Sequence, residues 1–394
     1  MIGSETGDAQ VEPFEIQVPE TVLEDLRERL ARTRFPDQVN DADWSWGTDL
    51  ETLRELCRYW REDFDWRAQE ARLNAIPQVR TVIDGLSMHA IAAPSAEPDA
   101  LPLVLTHGWP GSFAEFADIV EPLRDPRAFG ADPADAFHVI CPSIPGYGFS
   151  QASPTPGMTC RRVARMEAEL VRRLGYERFG AQGGDWGSVI GGLLAALEPE
   201  RCVGLHLNMV LAGPPRDVAD PMAQVTEAEK AHLERSRASR FEVTGYEHLQ
   251  GSRPQTAGYG LNDSPAGLAA WMIEKYRAWS DCGGDIESRF SKDALLTQIT
   301  LYWVTGTITS SMRLYYETHH ESERLSPGRV PTGVAVFPAE MIRAPRAWAE
   351  ARYDIVHWTE MPSGGHFAAL EEPDLLVQDI RAFFRKVRAG GARV

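Results

Sequence analysis

The sequence predicts an α/β protein: a mostly parallel central sheet, a helical segment inserted before the last two strands, and a helical N-terminal extension. Three observations carry that prediction. Short apolar runs closed by turn residues alternate with amphipathic helical patterns, as strands covered on both faces by helices require. Residues 214–327 break the rhythm with mostly helical or irregular sequence before it resumes. Residues 12–78 show helical periodicity only, and read as an extension packed on a larger body.

Taken in order, residues 1–11 read as a disordered tail. Between residues 19 and 35, Val22, Leu23, Leu26 and Leu30 recur at helical spacing, and Pro36 closes the run. DLETLRELCRYWREDF sets Leu50, Leu53, Leu56 and Trp60 on one face of a second helix. Neither helix would be stable alone, so each must bury its apolar face. VRTVIDGLSMHAIAAP then reads as a hairpin turning at Asp84-Gly85. PLVLTHG (102–108) and FHVICPS (137–143) read as buried strands. A helix over residues 159–174 leads to a strand at 178–182, a sharp turn, and a helix from Trp186. VGLHLNMV (203–210) is the last strand of the first core part, residues 79–213. GVAVFP (333–338), DIVHWTEM (354–361) and a helix over 373–389 form a second part, residues 328–394. An insert ahead of the last two strands would be a lid. The arrangement is the layout of an α/β hydrolase.

Composition narrows the function. The 394 residues suffice for one large domain with additions, or for two to three domains. A formal net charge of −17 argues against a nucleic-acid partner, because phosphate binding needs a positive surface. The same charge disfavours anionic membrane faces. The start, MIGSETGDAQVEPFEI, lacks the basic and apolar regions of a secretory signal, and no apolar run approaches bilayer length. Cys57, Cys141, Cys160, Cys202 and Cys282 are odd in number, scattered, and never in C-x-x-C spacing. They read as buried reduced thiols in a soluble, cytoplasmic protein with neither metal nor cofactor.

The chemistry centres on AQGGDWGSVIGG (181–192). Gly183-Gly184-Asp185-Trp186-Gly187 has the layout of the nucleophile elbow G-x-S-x-G, with aspartate in place of serine. An aspartate opening a helix is often only an N-cap. The preceding strand and flanking glycines favour a nucleophile, whose carboxylate the helix N-terminus stabilises. In hydrolases the chain order is nucleophile, acid, histidine. MPSGGHFAALEEP places His366 after the last strand, where the histidine belongs. His319 and His320 lie in a charged helical stretch, while His89, His138 and His357 lie in strand-like segments. Glu340, in VFPAEMI after the preceding strand, is the acid that would hold the imidazole, with Asp354 as the weaker alternative. HGWPGSF (107–113) follows a strand where an oxyanion hole forms, so backbone N–H groups of Trp109 and Trp186 would converge there. Trp109, Pro110, Phe149, Trp186 and Phe367 are the expected substrate-pocket residues.

HGWPGSF, SIPGYGFS (143–150), GGDWGS and GGHFAALEEP together resemble the epoxide hydrolases of the α/β-hydrolase superfamily. FEIQVPETVLEDLRERLARTRFP resembles the N-terminal extension of their microsomal and juvenile-hormone branch. GYEHLQGSRPQTAGYGLNDSPAGLAAWMIEKYRAW and LYWVTGTITSSMRLYYE are similar to that branch's lid. The likeness runs from about residue 12 to the end, and a chain without the hydrophobic N-terminal anchor of the microsomal relatives is the expectation. It implies conversion of an epoxide and water to a vicinal diol, in detoxification or in natural-product biosynthesis such as that of enediynes.

The resemblance also implies two lid tyrosines that assist ring opening. The matching positions are Tyr246 and Tyr315, with Tyr316 a competitor for the second and Tyr259, Tyr276 and Tyr302 read as packing residues. Ring opening expels an alkoxide, and a phenol can donate to it while staying protonated at neutral pH. A serine would form an ether that water cannot readily cleave, whereas Asp185 forms a hydrolysable ester. His366 would then activate water against that ester. A haloalkane dehalogenase shares the elbow aspartate but needs no acid for halide, and a non-catalytic binding protein would leave the triad idle. The expected partners are an apolar or aromatic epoxide and water, and a homodimer is compatible with this reading.

Overall fold

The computed structural model describes residues 10–322 and 326–390. Most of the expected tail, residues 1–9, lies outside the described residues.

Among the described residues nine strands form one sheet: β1 (Glu12–Pro13), β2 (Gln78–Ile83), β3 (Leu86–Ala93), β4 (Leu101–Thr106), β5 (Phe137–Pro142), β6 (Phe179–Gly183), β7 (Cys202–Leu207), β8 (Pro331–Val336) and β9 (Asp354–Glu360). Their spatial order is β1-β2-β3-β5-β4-β6-β7-β8-β9. The first three and β5 pair antiparallel, and every pair from β5 through β4 to β9 is parallel. The chain therefore has the α/β-hydrolase fold, with a mostly parallel sheet, a helical insert between β7 and β8, and an N-terminal extension.

The parallel strands explain where a site can form. Their loops emerge on one edge of the sheet, beyond the strand C-termini, where ligands of open α/β sheets bind. Thr106 of β4 pairs with Gly183 of β6, so the HGWP loop and the Gly-rich turn begin side by side. β8 and β9 lie further along that edge and deliver the segments that carry Glu340 and His366.

The extension contains helices Glu20–Ala31, Leu50–Glu62 and Trp66–Asn74. The first stops four residues short of the expected position. The N–H groups of Arg32 and Thr33 bond back to Arg29 and Leu30, tightening the last turn, and the position before Pro36 disfavours helix. Leu53, Leu56, Cys57 and Trp60 are buried on the inner face of the second helix. The Trp60 indole Nε1 donates to Thr300 Oγ1 of the insert at 2.9 Å, and the Tyr59 hydroxyl donates to Asp293 Oδ1 at 2.9 Å. The apolar face predicted from spacing thus meets the insert and the first helix of the extension. Two-residue β1 is too short to carry an alternation that the sequence would show.

Seven α-helices and one short 3-10 turn lie in the described part of the insert, among them Gly245–Ser252, Pro265–Trp279, Lys292–Thr305 and Ile308–His319. No described helix is long and apolar enough to cross a membrane. All five cysteines are buried free thiols.

Candidate active site

The turn after β6 puts Asp185 at the first position of helix Asp185–Leu197, with φ at +44°. That conformation costs a non-glycine residue about 1–3 kcal/mol and persists only where the surroundings enforce it. Close backbone approach supplies the enforcement. A Cβ on Gly187 would lie 1.8 Å from the carbonyl oxygen of Thr106, so only glycine lets the helix start against β4. The Ser188 hydroxyl donates to the Asp185 carbonyl at 2.7 Å, closing the turn.

The carboxylate of Asp185 is held at both oxygens. The backbone N–H of Trp109 donates to Oδ1 at 2.8 Å, while Nε2 of His366 lies 3.4 Å from Oδ2. The Trp109–Pro110 peptide is cis. Trp186 N–H, the other expected oxyanion donor, belongs to the first helical turn, where N–H groups have no intrahelical acceptor.

His366 is buried, and its Nδ1 lies 2.9 and 3.1 Å from Oε2 and Oε1 of Glu340. The N–H of Ile342 donates to Glu340 Oε1 at 3.0 Å, fixing the acid in its turn. The N–H of His366 donates to the carbonyl of Trp279 in the insert at 2.9 Å. Burial alone pushes the imidazolium down. The Glu340 charge, hydrogen bonds to Asp185 and Glu340, and the Asp185 charge outweigh it, leaving His366 well above its ordinary value. Asp354, the alternative acid, is exposed at the start of β9, so the structure sets Glu340 beside the imidazole instead.

The two tyrosines complete an aromatic wall. Tyr246 stacks on Trp109 with ring centroids 5.4 Å apart, and Tyr315 packs edge-on against Trp186 at 4.6 Å. Tyr246 and Tyr315 contact each other at 5.9 Å. Burial first, then neighbouring groups including Asp185, raises both phenols well above the usual tyrosine value, so they remain protonated donors. The Tyr315 hydroxyl is buried on the side of the ring that faces Tyr246. Tyr316 faces outward and stacks on His320. Tyr276 and Tyr302 are core residues whose hydroxyls donate to the Pro110 and Gly111 carbonyls.

Of the five expected pocket residues, Phe149 is misplaced. It packs on Phe14, His89 and Phe113, away from Asp185. Tyr147, two residues earlier, turns inward instead, and its hydroxyl donates to the Ser311 carbonyl at 3.0 Å. Trp109, Trp186 and Phe367 surround Asp185 and His366, and Pro110 lies buried under Tyr276. Sequence reasoning missed Trp279, whose ring packs on His366 at 5.1 Å and on Tyr246 at 5.0 Å. It also missed Glu115 and Asn208, which line a small cavity with Asp185 and His366.

Comparison with known proteins decides the family. A family model described as the epoxide hydrolase N terminus matches residues 11–116, and one for the alpha/beta hydrolase fold matches residues 102–234. Epoxide hydrolase 1 of Sus scrofa is 40% identical over 408 aligned positions, covering 95% of this chain and 89% of that protein. The chain belongs to the epoxide hydrolases. The crystal structure of juvenile hormone epoxide hydrolase from the silkworm Bombyx mori matches this epoxide hydrolase with a TM-score of 0.90 at 32% identity. That match covers 98% of this chain and 96% of the other. The Aspergillus niger epoxide hydrolase structure matches with a TM-score of 0.86 at 32% identity, covering 97% and 98%. This epoxide hydrolase therefore takes an epoxide and water to a diol, and the dehalogenase and binding-protein readings give way.

Proposed function

We propose that the reaction runs through a covalent ester on Asp185. Oδ2 attacks a ring carbon, the C–O bond of the epoxide breaks, and the oxygen leaving it takes a proton from Tyr246 or Tyr315. Oδ1 becomes the ester carbonyl oxygen, already in contact with the Trp109 N–H. The observation that carries this reading is the division of the two carboxylate oxygens, one on a backbone donor and one facing His366.

Alkylation also changes His366. It neutralises Asp185, one of the two anions that hold the imidazole charged. The histidine then gives up its proton more readily, and that proton restores the phenol. Neutral His366, oriented by Glu340, accepts a proton from water as the water oxygen attacks the ester carbonyl carbon. Trp109 and Trp186 N–H groups stabilise the oxyanion. The acyl–oxygen bond breaks, His366 returns the proton, and the diol leaves with an oxygen that began on Asp185.

The wall of Trp109, Trp186, Tyr246, Trp279 and Tyr315 suits an apolar or aromatic epoxide. Residues 214–327 would act as the lid that carries it, residues 12–78 as its buttress, and residues 79–213 and 328–394 as the core. Five free thiols fit a cytoplasmic setting. The test is trapping. His366→Gln mixed with styrene oxide should gain the substrate mass on the peptide containing Asp185, and Asp185→Ala should gain none. A His366→Gln protein that binds the epoxide yet never gains mass would sink the ester.

A further inference from the structure

Behind Asp185 lies a cavity of about 30 Å³, lined by Asp185 and His366 but by neither Tyr246 nor Tyr315. It is far too small for an epoxide substrate, since ligand pockets run to hundreds of Å³. It is large enough for a water, which needs roughly 10–15 Å³ and two or more polar partners. Polar groups are what this cavity has. Asp185, His366, the Asn208 amide and the Glu115 carboxyl all line it. Gln182 Nε2 donates to Asn208 Oδ1 at 2.8 Å and holds that amide beside the elbow.

Glu115 sits in a short 3-10 turn, Phe113–Phe116, that follows the HGWPGS loop. Its carboxyl folds back beneath that loop. A Cβ on Gly111 would lie 2.0 Å from Glu115 Oε2, so the glycine makes room for it. Glu115 keeps some accessible surface and lines the cavity. Burial raises its carboxyl to about 8, and the charges of His366 and Asp185 both act on it. It is therefore mostly neutral near pH 7 and adds little charge beside the nucleophile.

We infer that the cavity is the seat of the attacking water and that Glu115 is a further catalytic residue, accepting one O–H of that water while His366 Nε2 takes the other. This rests on the aspartyl-ester reading above. The geometry separates two entrances to one carboxylate: the epoxide meets Asp185 on the tyrosine side, and water meets the ester from the Glu115 side. In the hydrolytic step the water oxygen bonds to the Asp185 carbonyl carbon, one proton passes to His366, and Glu115 keeps the second O–H turned away. Glu115 changes no bond itself; it sets the direction of the oxygen lone pair.

The test is single-turnover kinetics of the full chain with styrene oxide, following ester formation and ester breakdown separately. Glu115→Leu should slow breakdown by about tenfold or more while formation stays within about threefold. Glu115→Gln, whose amide oxygen still accepts a hydrogen bond, should recover most of the loss. Gly111→Ala displaces the carboxyl without removing it and should behave like Glu115→Leu, so it decides the matter if the leucine variant does not fold. Breakdown within about threefold of the parent in these variants, or equal slowing of both steps, would overturn the assignment of Glu115. Absence of any ester in the parent and in His366→Gln would overturn the ester reading itself, and this inference with it.

Discussion

Nδ1 of His366 lies 2.9 Å from Oε2 of Glu340, while Nε2 of the same ring faces Oδ2 of Asp185 at 3.4 Å. One imidazole thus bridges two carboxylates while itself buried. A charged ring is favoured there despite burial, because both anions oppose the desolvation. Imidazole NMR should find His366 protonated well above pH 6.5, the ordinary histidine value. Asp185→Asn removes one of the groups that raise it, so the titration should move down. An unchanged midpoint would show that Asp185 does not control the ring, and the proposed release of the proton on alkylation would fail.

The two tyrosines of the insert carry a different proposed role. Tyr246→Phe and Tyr315→Phe each remove one proposed donor to the opening ring oxygen, while leaving the Trp109 and His366 contacts in place. Each should slow ester formation by about 10- to 100-fold and leave ester breakdown within about threefold. Rapid-quench analysis separates the steps. Slowing confined to breakdown would reassign the tyrosines to the second half-reaction.

Much of this arrangement is legible in the sequence, and the reasons are local. Asp185, Glu340 and His366 each follow a strand whose apolar run can be read, so chain order brings them to one sheet edge before any coordinates exist. Tyr246 and Tyr315 lie on helices of the insert, where spacing identifies faces but not which face meets the core; only family likeness singled them out. Phe149 shows the limit of choosing an aromatic from a motif. In SIPGYGFS the glycines let adjacent aromatics turn to opposite sides, and it is Tyr147 that goes inward. Glu115, in FAEFADIV, looks like a solvated residue of an amphipathic turn, and its position depends on a glycine four residues earlier. Trp279 reaches His366 through the tertiary packing of insert on core, which no periodicity encodes.

Attachment of the extension is testable by stability. Trp60 is buried and donates to Thr300 across 240 residues of chain. Trp60→Ala loses that bond and leaves a cavity between extension and insert, so unfolding by urea should weaken by roughly 3–5 kcal/mol. A loss under about 1 kcal/mol would mean the helix contributes little to the fold.

A buried cluster far from Asp185 predicts acid sensitivity. Asp379 accepts from His206 Nε2 at 2.9 Å and from His357 Nε2 at 2.8 Å. Burial alone would raise its carboxyl, but these bonds hold it well below the usual carboxylate range. A value depressed on folding contributes stability above the unfolded value of about 4 and loses it as pH falls toward the folded one. Asp379→Asn should therefore destabilise by about 3 kcal/mol at pH 7, with the gap to the parent narrowing below about pH 4. A gap independent of pH would show that the carboxylate charge is not what binds the final helix to the sheet.

In the proposed reaction Asp185, not water, opens the epoxide. The most direct measurement is a single turnover of styrene oxide by excess enzyme in heavy-oxygen water, with mass analysis of the diol and of the Asp185 peptide. An unlabelled diol and heavy oxygen in the Asp185 carboxylate are expected. Label in the first-turnover diol with none in the Asp185 peptide would contradict it.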